Sequence, residues 1–463
     1  MKFKRFCALL VLLFVFLTTA CGESPELLTF ISADEKVDFD GLLVDLAWCG
    51  GAAEHPIYVE DTLQYDAFLK RISDVNNALN CEIKVELDAE QAPITVGMQT
   101  GTDTVDILLC NGIQDYMETN MVYSLSDFTE YIDLSNEKKY GTPGFLEGMM
   151  YEGRIYGVSP IQWPGFESTG GYLTVYNRDL FKEYQITDFR EYYENNTWTW
   201  DTFRYEYMDK YTMQNPDGSR LYSLHTNASD LYQVVFHSNG LQYVEKRPDG
   251  SFNIDPYNDA YTYSMQYWHD LFIENKDKIE YQTNTYEFTP YTSGNCATGF
   301  AWNSHLVTGP IAYNDNTFDT GVLPIPCGPN VEYGTWGQCI QRSYGFVLPI
   351  TSNIPESSVQ ILDMLCEPFD EFGGDAGFFD YYRTNVFSTD LDAQIYLDVL
   401  KFIRYDYTFV GDRYGREISY VFEDYFESTS MTLNDALERA KPIIERLANE
   451  YIIGNYDAVY GDK

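Results

Sequence analysis

The stretch YDAFLKRISDVNNALNCEIKVEL (residues 65–87) predicts a helix that runs directly into a strand. In its first part, apolar residues recur at the spacing of one helix face: Phe68, Leu69, Ile72, Val75 and Leu79. The second part, CEIKVEL, alternates apolar and polar residues and contains β-branched ones, which indicates a strand. A helix followed at once by a strand is typical of an α/β sheet.

The same pattern continues on both sides of this stretch. DGLLVDLAWCG (40–50) and VDILLCNG (105–112) are short apolar runs that end at glycine, and a helical span precedes Gly101. Strand, helix, strand, helix, strand predicts a parallel sheet covered by helices. Because ligands of such sheets bind at the loops after the carboxyl ends of the strands, Trp48 and Asn111 are candidate ligand-binding residues.

The first residues of the chain predict an export signal. The apolar run from Phe6 to Leu17 follows three cationic residues and is shorter than the roughly 20 residues that a membrane span needs. LTTACGES (17–24) resembles the lipobox of bacterial lipoproteins, in which the cysteine is acylated and becomes the new N-terminus. We therefore expect residues 1–20 to be a signal peptide, and Cys21 to anchor an extracytoplasmic protein to the outer face of the cytoplasmic membrane. The alternative is an ordinary secretory signal cut nearby.

Length and charge restrict the remaining choices. A chain of 463 residues exceeds the size at which single cores stop growing, so we expect two lobes. The 71 acidic residues outnumber the 30 Lys and Arg, which gives a net charge of −41. Such a field repels phosphate backbones, so the sequence predicts no nucleic-acid partner.

Cysteine usage predicts buried thiols. Without Cys7 of the signal and the lipidated Cys21, seven cysteines remain: Cys49, Cys81, Cys110, Cys296, Cys327, Cys339 and Cys366. Their number is odd, and no two have the close spacing of zinc or redox sites. Burial as small apolar residues is the first interpretation, and a disulfide between Cys327 and Cys339 is the alternative.

Catalytic and metal motifs are not found in the sequence. The five histidines form no H-E-x-x-H pair, and there is no G-x-S-x-G elbow, P-loop or G-x-G-x-x-G. Paired carboxylates for glycoside hydrolysis cannot be singled out among 71 acids, so a secreted glycoside hydrolase stays an alternative. NDNTFDTG (314–321) departs from the EF-hand spacing and is interpreted as a solvated turn. We expect no cofactor and no metal.

The order of segments along the chain resembles a known family. The main segments are VDILLCNG, VYSLSDFTEYIDLS (122–135), EGRIYGVSP (152–160), LTVYNRDLFKEYQI (173–186), TWTWDTF (197–203), SGNCATGFAWNSH (293–305), TGVLPIPCGP (320–329) and SYGFVLPITSN (343–353). Together they resemble the extracellular solute-binding proteins of bacterial ABC importers, in the sugar and oligosaccharide branch. The resemblance implies a type II periplasmic-binding-protein-like fold, with two lobes that are each a mainly parallel sheet flanked by helices.

The resemblance also implies how the chain divides. Residues 21–157 would begin lobe 1, and 158–322 would form lobe 2 after a hinge at 158–163. Residues 323–370 would return to lobe 1, and 371–463 would be a helical part of lobe 2. Extended crossovers near 157–163, 323–327 and 368–385 would join the lobes, because proline there resists helix formation.

Candidate ligand contacts follow from the chemistry of a sugar, whose ring has an apolar face and a rim of hydroxyls. Indole and phenol rings cover the face, and amides and carboxylates bind the rim. The candidates at loops and crossovers are Trp48, Asn111, Gln162, Trp163, Trp302, Asn303 and Trp336, with Asp380, Tyr381 and Tyr382 from the third crossover. The tryptophans in helical or capping positions are interpreted as core: Trp198, Trp200 and Trp268.

The sequence therefore predicts a membrane-anchored receptor, without enzymatic activity, that passes a carbohydrate to the permease subunits of an ABC transporter. We expect it to act as a monomer. A receptor of the same fold for a peptide or another small solute is the second alternative.

Overall fold

Two mixed β-sheets with surrounding helices form the body of the protein. The computed structural model describes residues 37–49, 62–161, 163, 171–242, 244–246, 252–254, 257–282, 288–307, 317–335, 339–340, 344–372, 379–405 and 412–447. The predicted signal peptide, Cys21, Gln162 and Trp336 lie outside the described residues.

The strands are β1 (Leu42–Cys49), β2 (Cys81–Ala89), β3 (Ile107–Asn111), β4 (Met150–Tyr151), β5 (Arg154–Ile155), β6 (Gly157–Val158), β7 (Tyr172–Asn177), β8 (Tyr222–Asn227), β9 (Val244–Lys246), β10 (Phe252–Ile254), β11 (Ile279–Gln282), β12 (Cys296–Trp302), β13 (Thr320–Pro324), β14 (Cys339–Ile340), β15 (Tyr344–Val347) and β16 (Arg404–Tyr405).

The α-helices are α1 (Leu63–Leu79), α2 (Gln91–Thr100), α3 (Ile113–Glu118), α4 (Glu137–Tyr140), α5 (Pro143–Glu147), α6 (Arg178–Glu183), α7 (Phe189–Glu194), α8 (Ala228–Ser238), α9 (Asp259–Glu274), α10 (Thr289–Thr292), α11 (Asn303–Val307), α12 (Pro355–Leu365), α13 (Phe379–Tyr381), α14 (Asp390–Leu400), α15 (Asp412–Glu427) and α16 (Leu433–Leu447). Further 3₁₀ turns lie at Leu125–Asp127, Lys276–Lys278 and Asp370–Phe372, and segments in the π conformation at Thr202–Met208 and Tyr382–Val386.

The two large sheets have the same layout. The first has the order β2-β1-β3-β15-β6 and the second the order β11-β8-β12-β7-β13. In each, the fourth strand is antiparallel to both neighbours and the other strands run in one direction. The chain passes from edge strand β6 to β7 of the second sheet, and from edge strand β13 back to β15 of the first. Each reversed strand therefore follows a crossover from the other sheet.

Helix α1 illustrates how local sequence produces the first layer. The side chain of Thr62 accepts a hydrogen bond from the Tyr65 amide at the N-terminus, and Asn80 ends the helix in the left-handed conformation, at φ 51°. The buried face is the predicted one with one exception, since Leu69 is 47% exposed. The helix then leads directly into β2, which pairs with β1 in parallel. The predicted strand-helix-strand-helix-strand order over residues 40–112 is confirmed.

The third crossover differs from the expectation of an extended segment. Its described part consists of the 3₁₀ turn at Asp370–Phe372, helix α13 and the π-turn at Tyr382–Val386. Phe372 packs in a T-shaped arrangement on Tyr381, with ring centroids 4.7 Å apart. Aromatic packing therefore holds this segment in compact turns.

The C-terminal helices pack on elements of the second sheet. Helices α15 and α16 share one hydrophobic cluster with α8 and α9, in which Phe422, Phe426 and Ala440 are fully buried. The α/β fold with two sheets flanked by helices is thus confirmed, whereas the lobe boundaries stay predictions. Among the described helices, none has the length and apolar character needed to cross a membrane.

Candidate ligand-binding site

The carboxyl ends of the parallel strands are where ligands bind in sheets of this type. In the first sheet, β3 ends at Asn111, which is exposed. Asn111 is paired with Tyr344, the first residue of the antiparallel strand β15. The predicted Asn111 is therefore accessible at the carboxyl end of its strand. Beside it lies the half-buried Tyr344, which was not among the predicted residues.

In the second sheet, the corresponding edge has an aromatic pair. Strand β12 is buried along its length until its last residue, Trp302, which is partly exposed. The register pairs Trp302 with Tyr172, and their ring centroids are 5.0 Å apart. Tyr172 was not among the predicted residues, because only the pairing of two strands 130 positions apart places its ring beside Trp302.

Local sequence holds this aromatic pair in place. Gly299 lets β12 approach its neighbours, since a Cβ at this position would lie 2.9 Å from the Phe288 ring. Asn303 follows Trp302 directly and is fully buried, and its amide donates to the Gly171 carbonyl at 3.2 Å. The predicted Asn303 is thus inside the protein, where its backbone fixes the start of α11.

Trp48 and Trp163 are not on a ligand surface in this structure, which contradicts the prediction. Both indoles are fully buried, with ring centroids 5.9 Å apart, and both pack on Phe68 of α1. The Trp48 Nε1 donates to the Tyr344 hydroxyl at 2.7 Å. The two indoles therefore form the core between α1 and the first sheet.

Trp163 also holds the end of α12. Its Nε1 donates to the Leu365 carbonyl at 2.9 Å, and the Arg71 guanidinium donates to the same oxygen at 3.1 Å. Carbonyls in the last turn of a helix have no partner within the helix, so both donors satisfy a group that would otherwise be buried without a bond. The last residue of the predicted first crossover is thereby fixed to the helix that precedes the predicted third crossover.

We expect Trp163→Phe to lower the free energy of unfolding by about 1–3 kcal/mol, because it removes a buried hydrogen bond and part of the packed ring. Ligand affinity should change less than about threefold, since the indole is fully buried. Urea unfolding followed by calorimetric titration measures both quantities. A large loss of affinity with unchanged stability would return Trp163 to the binding site.

The residues predicted from the third crossover have different environments. Asp380 is exposed and lies 3.5 Å from the Arg383 guanidinium. Tyr381 is partly buried, and its hydroxyl accepts a hydrogen bond from the Gln64 side chain of α1. Tyr382 is fully buried against Tyr396, which contradicts its predicted role in ligand contact.

Two buried histidines pack on the same aromatic ring. His225 of β8 and His305 of α11 both contact Phe288, with ring centroids at 4.6 and 5.5 Å. Burial lowers the pKa of each imidazole to about 4, because the charged form cannot be solvated there. Both histidines are therefore neutral at pH 7.

These histidines predict a loss of stability in mild acid. The unfolded chain, with histidine pKa near 6.5, binds protons before the folded protein does, so stability falls as the pH drops from about 6.5 to about 4. The expected loss is about 2 kcal/mol per histidine between pH 7 and pH 5. Urea unfolding at the two pH values measures it, with His225→Gln expected to reduce the difference. The matched His269→Gln variant should retain the loss of stability that His225 and His305 contribute. If the free energy of unfolding fell equally between the two pH values in the wild type and in both variants, this cause would be refuted.

Six of the seven cysteines within the described ranges are buried and free: Cys49, Cys81, Cys110, Cys296, Cys327 and Cys366. Burial raises the pKa of the Cys49 thiol to about 11. The predicted burial is confirmed for these residues, and the alternative disulfide between Cys327 and Cys339 is wrong, because Cys327 is free. The structural interpretation of the other tryptophans also holds, since Trp198, Trp200 and Trp268 are at most 2% exposed.

Two sheets with one layout, joined by crossovers at their edges, define the class of two-lobed α/β binding proteins. The model of the family described as bacterial extracellular solute-binding protein matches residues 82–366. The chain belongs to this family, and the predicted family is confirmed. Membership implies a location outside the cytoplasm.

Several solved structures share the fold. The sugar-binding protein MalE from Xanthomonas citri is 13% identical, with a TM-score of 0.60 over 89% of this chain and 99% of that one. A cyclic α-maltosyl-1,6-maltose-binding protein from Arthrobacter globiformis is 12% identical, with a TM-score of 0.62 over 89% and 100%. An ABC substrate-binding protein from Listeria monocytogenes, solved with cycloalternan, is 11% identical, with a TM-score of 0.57 over 89% and 99%. No curated protein matches the sequence.

Proposed function

We propose that this protein is a lipid-anchored receptor that captures a sugar or oligosaccharide between its two lobes and delivers it to an ABC permease. The observation that carries the proposal is the pair of Trp302 and Tyr172 at the carboxyl edge of the second sheet, where one indole remains partly exposed. A flat aromatic surface of this kind packs on the apolar face of a sugar ring and shields it from water.

Polar groups beside the sheets support the same ligand class. Asn111 is exposed at the equivalent edge of the first sheet, and an amide both donates to and accepts from hydroxyls. Membership in the solute-binding family and the likeness of fold to sugar-binding proteins support capture without turnover. The net charge of −41 disfavours a nucleic-acid partner.

Delivery and anchoring follow from the same proposal. Ligand contact with both lobes favours the closed arrangement, which the permease then recognises. The protein acts as a monomer, and acylation of Cys21 holds it at the outer face of the cytoplasmic membrane, where two acyl chains give stable attachment.

Replacing Cys21 with serine should release the protein into the medium.

A thermal-shift screen tests the proposal. The probes are glucose, maltose, maltotriose, maltotetraose, cellobiose and a control dipeptide, each with the mature protein. A sugar at 100 times its Kd stabilises the folded state by about 2.7 kcal/mol, which raises the melting temperature. Release of reducing ends from an oligosaccharide would favour a glycoside hydrolase, and stabilisation by the dipeptide alone would favour a receptor for another solute.

A further inference from the structure

Strand β16 is a short segment that lies between elements of both sheets. The chain reaches it from α14, and it pairs in parallel with β14, which lies in the crossover between β13 and β15. Its residue Tyr405 is 3% exposed. This tyrosine is not part of the candidate ligand-binding site.

Tyr405 accepts hydrogen bonds from two residues, one on the side of each large sheet. Its hydroxyl accepts a hydrogen bond from the Gln114 side chain at 3.0 Å, and its backbone carbonyl accepts one from the Gln242 side chain at 3.1 Å. Gln114 belongs to α3, which packs on the first sheet and begins two residues after Asn111. The backbone amide of Gln242 donates to the Tyr261 hydroxyl of α9, which packs on the second sheet.

Packing fixes β16 on the first of these two sides. Tyr405 and Ile403 share a buried cluster with Phe145 of α5 and with Ile161 of the first crossover. The backbone of α5 comes so close that a Cβ on Gly144 would lie 2.2 Å from the Ile403 carbonyl oxygen. Only glycine permits this contact, so Ile403, directly before β16, lies against the backbone of α5.

We propose that Tyr405 is a positioning residue that ties the two lobes together and limits how far they rotate. Crossovers of the chain join the lobes, and Tyr405 adds a hydrogen-bonded connection, to Gln114 on one side and to Gln242 on the other. Because Tyr405 packs on the side of Gln114, a change in the angle between the lobes acts on the bond from Gln242, whose backbone is bound to α9 on the second sheet. The connection thereby sets the position of Asn111 relative to the second sheet.

The size of the effect follows from the bonds involved. A single buried hydrogen bond changes an equilibrium by up to about tenfold. Removing the side-chain donor of Gln242 should therefore alter the ratio of lobe arrangements by up to about tenfold. The ring packing of Tyr405 and its bond from Gln114 would remain, so the fold is retained.

Single-molecule FRET on the full mature chain tests this inference. Donor and acceptor are attached to cysteines introduced at Val96 and Tyr420, which are 56% and 58% exposed on α2 and α15. Cys21 and Cys339 are replaced by serine in the starting protein, and the other six cysteines are buried, so the introduced thiols react first. Melting temperatures and circular dichroism verify that each variant is folded.

We expect Gln242→Met to broaden the distribution of distances in the protein without ligand. Tyr207→Phe is the matched control, because it also removes a buried side-chain hydrogen bond to a backbone carbonyl, that of Ser223 at 2.6 Å, but within the core of the second sheet. An unchanged distribution in Gln242→Met, or equal broadening in Tyr207→Phe, would overturn the inference. The inference rests on the proposed function only for placing a ligand between the lobes, and the test needs no ligand, so the two can fail independently.

Discussion

Trp302→Ala should weaken carbohydrate binding by about 30-fold or more, equivalent to roughly 2 kcal/mol. The indole is the partly exposed member of the pair with Tyr172, so truncating it removes the flat surface on which a sugar ring packs. Isothermal titration with the sugar that gives the largest thermal shift measures the change.

The control for this prediction is Tyr205→Ala. Tyr205 is a 53% exposed aromatic residue in the π-turn at Thr202–Met208, remote in sequence from the strand ends. Its removal should leave affinity within about twofold. Trp302 also packs on the hydrophobic cluster of the second sheet. Urea unfolding of both variants therefore separates a loss of ligand contact from a loss of folding stability. Wild-type affinity in folded Trp302→Ala would remove this residue from the site.

Asp392→Ala should lower the free energy of unfolding by about 3–5 kcal/mol, because it removes the fully buried carboxylate that pairs with the buried Arg178 guanidinium and with Arg190. Asp392 is fully buried at the start of α14 and accepts two hydrogen bonds from Arg178, at 2.7 and 2.8 Å. Arg190 donates to the same carboxylate at 2.6 Å, and the backbone amide of Val322 at 3.3 Å. The network fastens α14 to β13 at the edge of the second sheet.

A neighbouring acid on the same helix provides the comparison. The side chain of Asp390 is 76% exposed and lies 4.0 Å from the Arg383 guanidinium, so Asp390→Ala should cost less than about 0.5 kcal/mol. Urea unfolding at pH 7 measures both variants. Equal stabilities of the two would show that the buried network contributes little.

Local periodicity was enough to predict the first α/β units. The apolar spacing in α1 and the alternation in β2 are properties of neighbouring residues, and the structure has both elements at the expected places. Leu69 was assigned to the buried face because it is apolar, but the single face of a helix against a sheet is narrower than the run of apolar residues.

The candidate site was harder to predict because position after a strand does not determine the direction of a side chain. Trp48 has the same parity as Val44 and Leu46, whose side chains lie in the core shared with α1, so alternation along β1 already indicated burial. For Trp163 no such signal existed. Its hydrogen bond to Leu365 spans 202 residues.

Long-range pairings account for the remaining omissions. Tyr172 becomes part of the aromatic pair only through the register of β7 with β12. Tyr405 is joined to Gln114 across 291 residues, a contact that no local pattern indicates. The chemistry of individual segments was therefore readable from sequence, while the neighbours that complete the site depend on topology.

Small-angle scattering of the mature protein, with and without a saturating sugar identified by the thermal-shift screen, tests capture between two lobes most directly. We predict a smaller radius of gyration in the complex, with the sugar recovered intact, because the ligand bridges both lobes and favours their closed arrangement. An unchanged or larger radius at saturation, or a screen in which no sugar stabilises the protein, would contradict carbohydrate capture between the lobes.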